Sequence, residues 1–69
     1  MKVNIENFIK ERRKDLNLTQ EELGDLVGVS RQSIISIEQG KYIPSLPLAL
    51  KFSKLFQCST DELFLLKED

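Results

Sequence analysis

The chain has 69 residues, 41% hydrophobic and 30% charged, with ten Lys and Arg against eleven Asp and Glu for a net charge of −1. That length makes one small domain, residues 1–69, and the balance suits a folded chain rather than a disordered one. Having no histidine and a single cysteine, Cys58, excludes the commonest general base, the usual metal ligand and an intrachain disulfide.

In chain order, five helical patterns stand out and no run of alternating strands does. The first is expected over Ile5–Leu16, with Asn4 as its N-cap, Ile5, Ile9 and Leu16 on one side and Phe8 at the edge. Thr19-Gln20-Glu21-Glu22 is a capping box, and Leu18 with Leu23 forms a hydrophobic staple, so Gln20 opens the second helix. That helix ends near Val27, with Leu23, Leu26 and Val27 pointing the same way. Gly28 supplies a left-handed turn that a side chain resists. Ser30 then caps a third helix, Arg31 to about Gln39, which Gly40 terminates. After the loop Lys41-Tyr42-Ile43-Pro44, Ser45 caps a fourth helix running to about Phe56, with Pro47 acceptable in its first turn. Leu48, Ala49, Phe52, Leu55 and Phe56 form its main stripe. Leu46 and Leu50 lie nearly opposite, which predicts burial on two sides. Ser59 and Glu62 make a second capping box, opening a short fifth helix through Leu63 and Phe64.

The third helix has two unlike faces. Ser33, Ile34 and Ile37 share the inward arc, and Arg31, Gln32, Ile35 and Ser36 share the other. Glu and Lys would serve solubility better than this outward set. Arg matches the two acceptors of guanine, Gln matches adenine, and an aliphatic group packs on a thymine methyl. Ordinary solvated positions are the plainer reading of these four residues. Their place on a helix held by a short glycine-containing turn favours the DNA-reading one.

Gln20 to Gln39, and more loosely residues 5 to 64, resemble the Cro/C1-type (XRE-like) helix-turn-helix regulators. The resemblance rests on Leu18-Thr19-Gln20-Glu21-Glu22-Leu23, Val27-Gly28-Val29-Ser30-Arg31-Gln32-Ser33-Ile34 and Ile37-Glu38-Gln39-Gly40-Lys41. Pro44-Ser45-Leu46 and the aliphatic helix after it extend it, and short stand-alone members are most similar. It implies an all-α, five-helix, lambda-repressor-like domain that binds double-stranded DNA as a homodimer, a repressor reading an inverted-repeat operator. It implies base contacts from Arg31, Gln32, Ser36 and Ile35. Backbone contacts would come from Gln20, Lys41 and Gln39, with Gln20 also bracing the recognition helix. It also implies an ion pair between Arg13 and Glu38, whose disruption would leave a buried charge costing ~3–5 kcal/mol. Arg13 facing phosphate or water is the alternative. Short members pair their terminal segments, so Met1–Asn4 is expected as a strand beside Leu65–Lys67.

Two departures stand out: Gly24, where relatives carry alanine, and the low net charge. Glycine keeps the close approach between helices but costs the second helix about 1 kcal/mol. Acidic residues cluster at Glu21, Glu22 and Asp25, so separated charged faces on a neutral molecule are expected.

Other candidates are weaker. Ser30, Ser33 and Ser36 have no histidine partner and no G-x-S-x-G elbow, so no catalytic residue or enzyme activity is expected. Gly24 and Gly28 do not make a phosphate loop, because no G-K-[ST] follows. Cys58 reads as a core or half-buried thiol, and Tyr42 as either a DNA neighbour or a cover for the core. No metal, cofactor or small-molecule ligand is expected. The single thiol, the polar start and the lack of a long apolar run point to the cytoplasm rather than a membrane. The tail Phe64, Leu65 and Leu66 is the candidate dimer seam. The competing functions are an antitoxin-like module that masks a protein partner and autoregulates, and a fold that has lost DNA binding.

Overall fold

The computed structural model describes residues 3–68, and the order of elements is β1 (Val3–Asn7), α1 (Ile9–Asp15), α2 (Gln20–Val27), α3 (Arg31–Glu38), α4 (Leu46–Phe56), α5 (Thr60–Leu63) and β2 (Phe64–Glu68). The fold is therefore five helices among the described residues, closed by a two-stranded antiparallel ribbon.

The first helix starts four residues later than expected. Ile5 to Asn7 are strand, and Asn4 pairs with Lys67 in the ribbon instead of capping a helix. The N-cap position falls on Phe8, which offers no side-chain cap, and Asn7 Oδ1 just before it accepts from the Ile9 N–H at 3.1 Å. The physical reason is tertiary. Five residues of β1 satisfy their backbone groups against β2, which a lone helical turn at a chain terminus does less well. The terminal pairing is thus longer than Met1–Asn4 with Leu65–Lys67; Met1 and Lys2 lie outside the described residues. At the other end of the ribbon, the fifth helix stops at Leu63, and Phe64 begins β2. Leu16 is half exposed rather than part of an inward stripe.

Both capping boxes, at Thr19/Glu22 and Ser59/Glu62, are formed in both directions. Ser30 and Ser45 cap α3 and α4 by accepting from Ser33 N–H and Leu48 N–H. The turn between α2 and α3 is set by two glycines. Gly28 stands at φ 82°, where an L side chain is strained, and its N–H and that of Val29 both donate to Gly24 O. A Cβ on Gly24 would sit 2.6 Å from Val29 O. The glycine is therefore not a loose substitute for alanine; the α2–α3 turn closes on its bare backbone.

The core is Ile9, Leu23, Val27, Ile34, Ile37, Leu48, Phe52, Phe56 and Leu63, one contiguous cluster drawn from all five helices. Phe52 and Phe56 stack with ring centroids 6.2 Å apart. Leu26 turns outward, away from Leu23 and Val27. Helix α4 is buried on one side only: Leu46 and Leu50 are 70% and 53% exposed, against 6% for Leu48. Among the described residues, none covers Leu46 and Leu50 on the far side of α4.

The ribbon is two-faced. Asn7 opposite Phe64 and Ile5 opposite Leu66 share one face, and Glu6 opposite Leu65 and Asn4 opposite Lys67 share the other. Phe64 packs against the core, so the first face is the inner one. On the outer face Lys67 Nζ lies 3.1 Å from Glu6 Oε1. Among the described residues, no helix is long and apolar enough to cross a membrane.

Candidate nucleic-acid interface

Helix α3 presents its polar side to solvent because Ile34 and Ile37 anchor the opposite side in the core at 0% exposure. Of the four outward residues, Arg31 and Gln32 are exposed, while Ile35 and Ser36 are half-buried. The α3 first turn carries no acidic residue, and the last, Glu38, turns inward. The outward face therefore has no carboxylate to repel a phosphate chain.

The face divides into two grooves. Gln32 and Ser36 line one with Ser30, Ser33 and Tyr42. Arg31 lines another with Lys10, Lys14, Thr19, Gln20 and Glu21. Tyr42 is 45% exposed, so it borders the recognition face rather than covering the core. Its backbone N–H and that of Lys41 both donate to Ser36 O, which folds the loop back over the end of α3. Lys41 and Gln39 are exposed there.

Behind α3 lies a nearly buried polar cluster. Arg13 Nε sits 2.7 Å from Glu38 Oε2 and its Nη2 donates to Glu38 Oε1 at 3.3 Å, a two-point fork. The side chains are 11% and 4% exposed. Arg13 Nη1 also donates to Leu18 O at 2.8 Å, and Gln20 Nε2 donates to Glu38 Oε1 at 3.2 Å. Arg13 and Glu38 together thus tie α1, the α1–α2 link and the first residue of α2 to the end of α3. Gln20 is half-buried, with its amide turned to Glu38 and its flank lining the basic groove. Among the described residues, no buried side-chain polar atom lacks a partner.

Three residues here carry no assignment from sequence. Lys10 and Lys14 stand at i and i+4 on α1, with Arg13 between them. That spacing is legible, but only the docking of α1 shows that it borders Arg31. Asn7 falls in the expected first turn of the first helix, which is strand instead; its Nδ2 donates to Ile37 O at 2.8 Å. The expected seam residues do not form one surface. Phe64 packs inward, and Leu65 and Leu66, 44% and 55% exposed, lie on opposite ribbon faces. A groove of about 550 Å³ lies apart from α3, between the end of α2 and α4, and includes Leu26, Lys51, Lys54 and Leu55.

Residues 9–63 match the family model described as helix-turn-helix. The chain is 45% identical over 65 residues to the uncharacterised HTH-type transcriptional regulator YgzD of Bacillus subtilis, covering 94% of this chain and 98% of that one. It is 48% identical over 65 residues to the uncharacterised HTH-type transcriptional regulator MJ0272 of Methanocaldococcus jannaschii, with the same coverage of both. Among solved structures it is similar to the P22 c2 repressor in complex with a synthetic operator. There the TM-score is 0.73 and the identity 42%, over 77% of this chain and 80% of that one. The capped α2, the glycine turn, the carboxylate-free recognition face and this match over most of the chain lead to one conclusion: the chain belongs to the Cro/C1-type helix-turn-helix family of DNA-binding transcriptional regulators, and is not an enzyme.

Proposed function

We propose that the protein is a cytoplasmic, homodimeric repressor that reads an inverted-repeat operator through the major groove. The observation that carries this reading is the α3 face of exposed Arg31 and Gln32 with half-buried Ile35 and Ser36, on which α3 itself places no carboxylate. Arg31, Gln32 and Ser36 contact base edges, and Ile35 packs on a thymine methyl. Gln39 and Lys41 at the end of α3, and Gln20 with Lys10 and Lys14 beside its start, contact phosphates and set the register. That the similar P22 c2 repressor was solved in complex with operator DNA supports the DNA-binding reading. A local basic groove answers the objection of a net charge of −1, because near-field charge governs phosphate contact.

A two-fold dimer sets two α3 helices about 34 Å apart on one face of the duplex. The seam uses the exposed Leu66 of the ribbon, on the face it shares with Ile5 and Phe64. Two experiments test the reading together. Sites selected from a randomised duplex pool and then footprinted are expected to be symmetric, with half-sites about one helical turn apart. Sedimentation is expected to show a dimer that Leu66→Glu dissociates. An asymmetric single site, or a dimer dissociated by Leu50→Glu and not by Leu66→Glu, counts against this geometry.

A further inference from the structure

We propose that Asn7 is a positioning residue for DNA reading. Its side-chain amide clamps the C-terminal end of α3 to the N-terminus of α1 and so sets the orientation of the recognition face. This rests on the DNA-binding reading of α3.

Asn7 uses both ends of its amide across three elements. Oδ1 accepts from the N–H of Ile9, the first residue of α1, at 3.1 Å, and Nδ2 donates to Ile37 O at 2.8 Å, thirty residues away in sequence. Its backbone belongs to the last pair of the ribbon, opposite Phe64. Ile37 O already accepts from Gly40 N–H at 3.0 Å, so the carbonyl that closes the helix end is the one that Asn7 holds. The next residue, Glu38, is held by Arg13 of α1. A single contact would leave α3 free to pivot; two contacts on neighbouring residues, one anchored at the end of β1 and one on α1, fix both tilt and rotation. The core contacts of Ile34 and Ile37 are non-directional and set distance more than angle. Base readout depends on angle, because bidentate contacts tolerate little displacement.

Asn is suited to both bonds at once, which separates the two roles by substitution. Asn7→Ser keeps a short acceptor for Ile9 N–H and does not reach Ile37 O, without changing charge. Asn7→Asp keeps the acceptor and removes the donor.

The experiment compares the full-length wild type with Asn7→Ser and Asn7→Asp. Three quantities are measured: the folded fraction by thermal melt, the affinities for a pool-selected duplex and a scrambled duplex at one salt concentration, and the α3 orientation in the free protein from residual dipolar couplings. Both variants are expected to remain folded at the assay temperature and to reorient α3 relative to α4. For Asn7→Ser, affinity for the selected duplex is expected to fall about tenfold, with scrambled-duplex binding held within about twofold. An unchanged α3 orientation in both variants overturns the clamp, whatever the DNA result. Equal losses on both duplexes also overturn it, because weaker phosphate contact or partial unfolding would do the same. If the wild type enriches no sequence, the DNA reading fails on its own account, and the dipolar couplings still decide whether Asn7 orients α3.

Discussion

Replacing Arg13 with methionine is the most informative stability test. The change keeps an unbranched apolar stem and deletes the guanidinium, removing two bonds to Glu38 and one to Leu18 O. The Glu38 side chain, 4% exposed, is then left with the Gln20 amide as its one remaining partner in this cluster. Leaving a buried carboxylate without its counter-charge costs about 3–5 kcal/mol. A domain of this size holds roughly 3–10 kcal/mol in total, so the variant should sit close to its unfolding midpoint. At about 4–8 °C per kcal/mol for small domains, the melting temperature should fall by more than about 12 °C. The companion Glu38→Leu leaves Arg13 bound to Leu18 O and nearer solvent, so it should cost less. The double variant replaces the pair with apolar groups and should recover to within about 2 kcal/mol of wild type. Urea unfolding followed by far-UV circular dichroism on all four proteins yields the coupling energy, expected at about 2 kcal/mol or more. A coupling below about 0.5 kcal/mol, the worth of an exposed pair, would refute the view that this cluster holds α3 in place.

Other outcomes follow from the same geometry. Arg31→Ala should cost roughly 1–3 kcal/mol on a selected duplex and relax preference at one base pair; a loss equal on all sequences would make Arg31 a phosphate contact instead. Lys10→Ala and Lys14→Ala should each weaken binding uniformly across sequences and lower the salt slope by about 1, read from affinities at several salt concentrations. Gly24→Ala gains about 1 kcal/mol in helix propensity, but its Cβ would meet Val29 O at 2.6 Å, so thermal melts should show net destabilisation. For Glu62, the Ser59 backbone N–H and then the Ser59 hydroxyl, with Arg12 nearby, hold the carboxyl below its ordinary range. A depressed folded value means the contribution is complete above the unfolded value and is lost as pH falls through the folded one. Glu62→Gln should therefore be less stable than wild type at neutral pH and converge with it in acid. A gap that stays constant with pH would refute the linkage.

Thr19/Glu22, Ser30, Ser45 and Ser59/Glu62 each act within four residues, so their chemistry is written locally and the starts of α2 to α5 were legible from it. The start of α1 was not. Asn4 is a good cap by residue type, and what takes it out of a helix is its pairing with Lys67 of β2, some sixty residues away. Helix α4 shows the same limit from another side. Its apolar periodicity says which residues could be buried, but only the number of layers decides that Leu46 and Leu50 stay exposed.

The sequence by itself determined the helix-turn-helix: where α2 and α3 begin, the left-handed turn at Gly28, and which face of α3 carries Arg31, Gln32, Ile35 and Ser36. Those features follow from contacts over one or two turns of chain. The tertiary structure alone decided how that face is held and what stands beside it. Asn7 on Ile37 O, Arg13 and Gln20 on Glu38, and Lys10 and Lys14 beside Arg31 join residues from separate elements. Periodicity states only that a residue faces sideways from its own helix. What it meets there depends on how the helices dock, and burial of Ile9, Leu23, Ile34 and Phe52 in one core settles that.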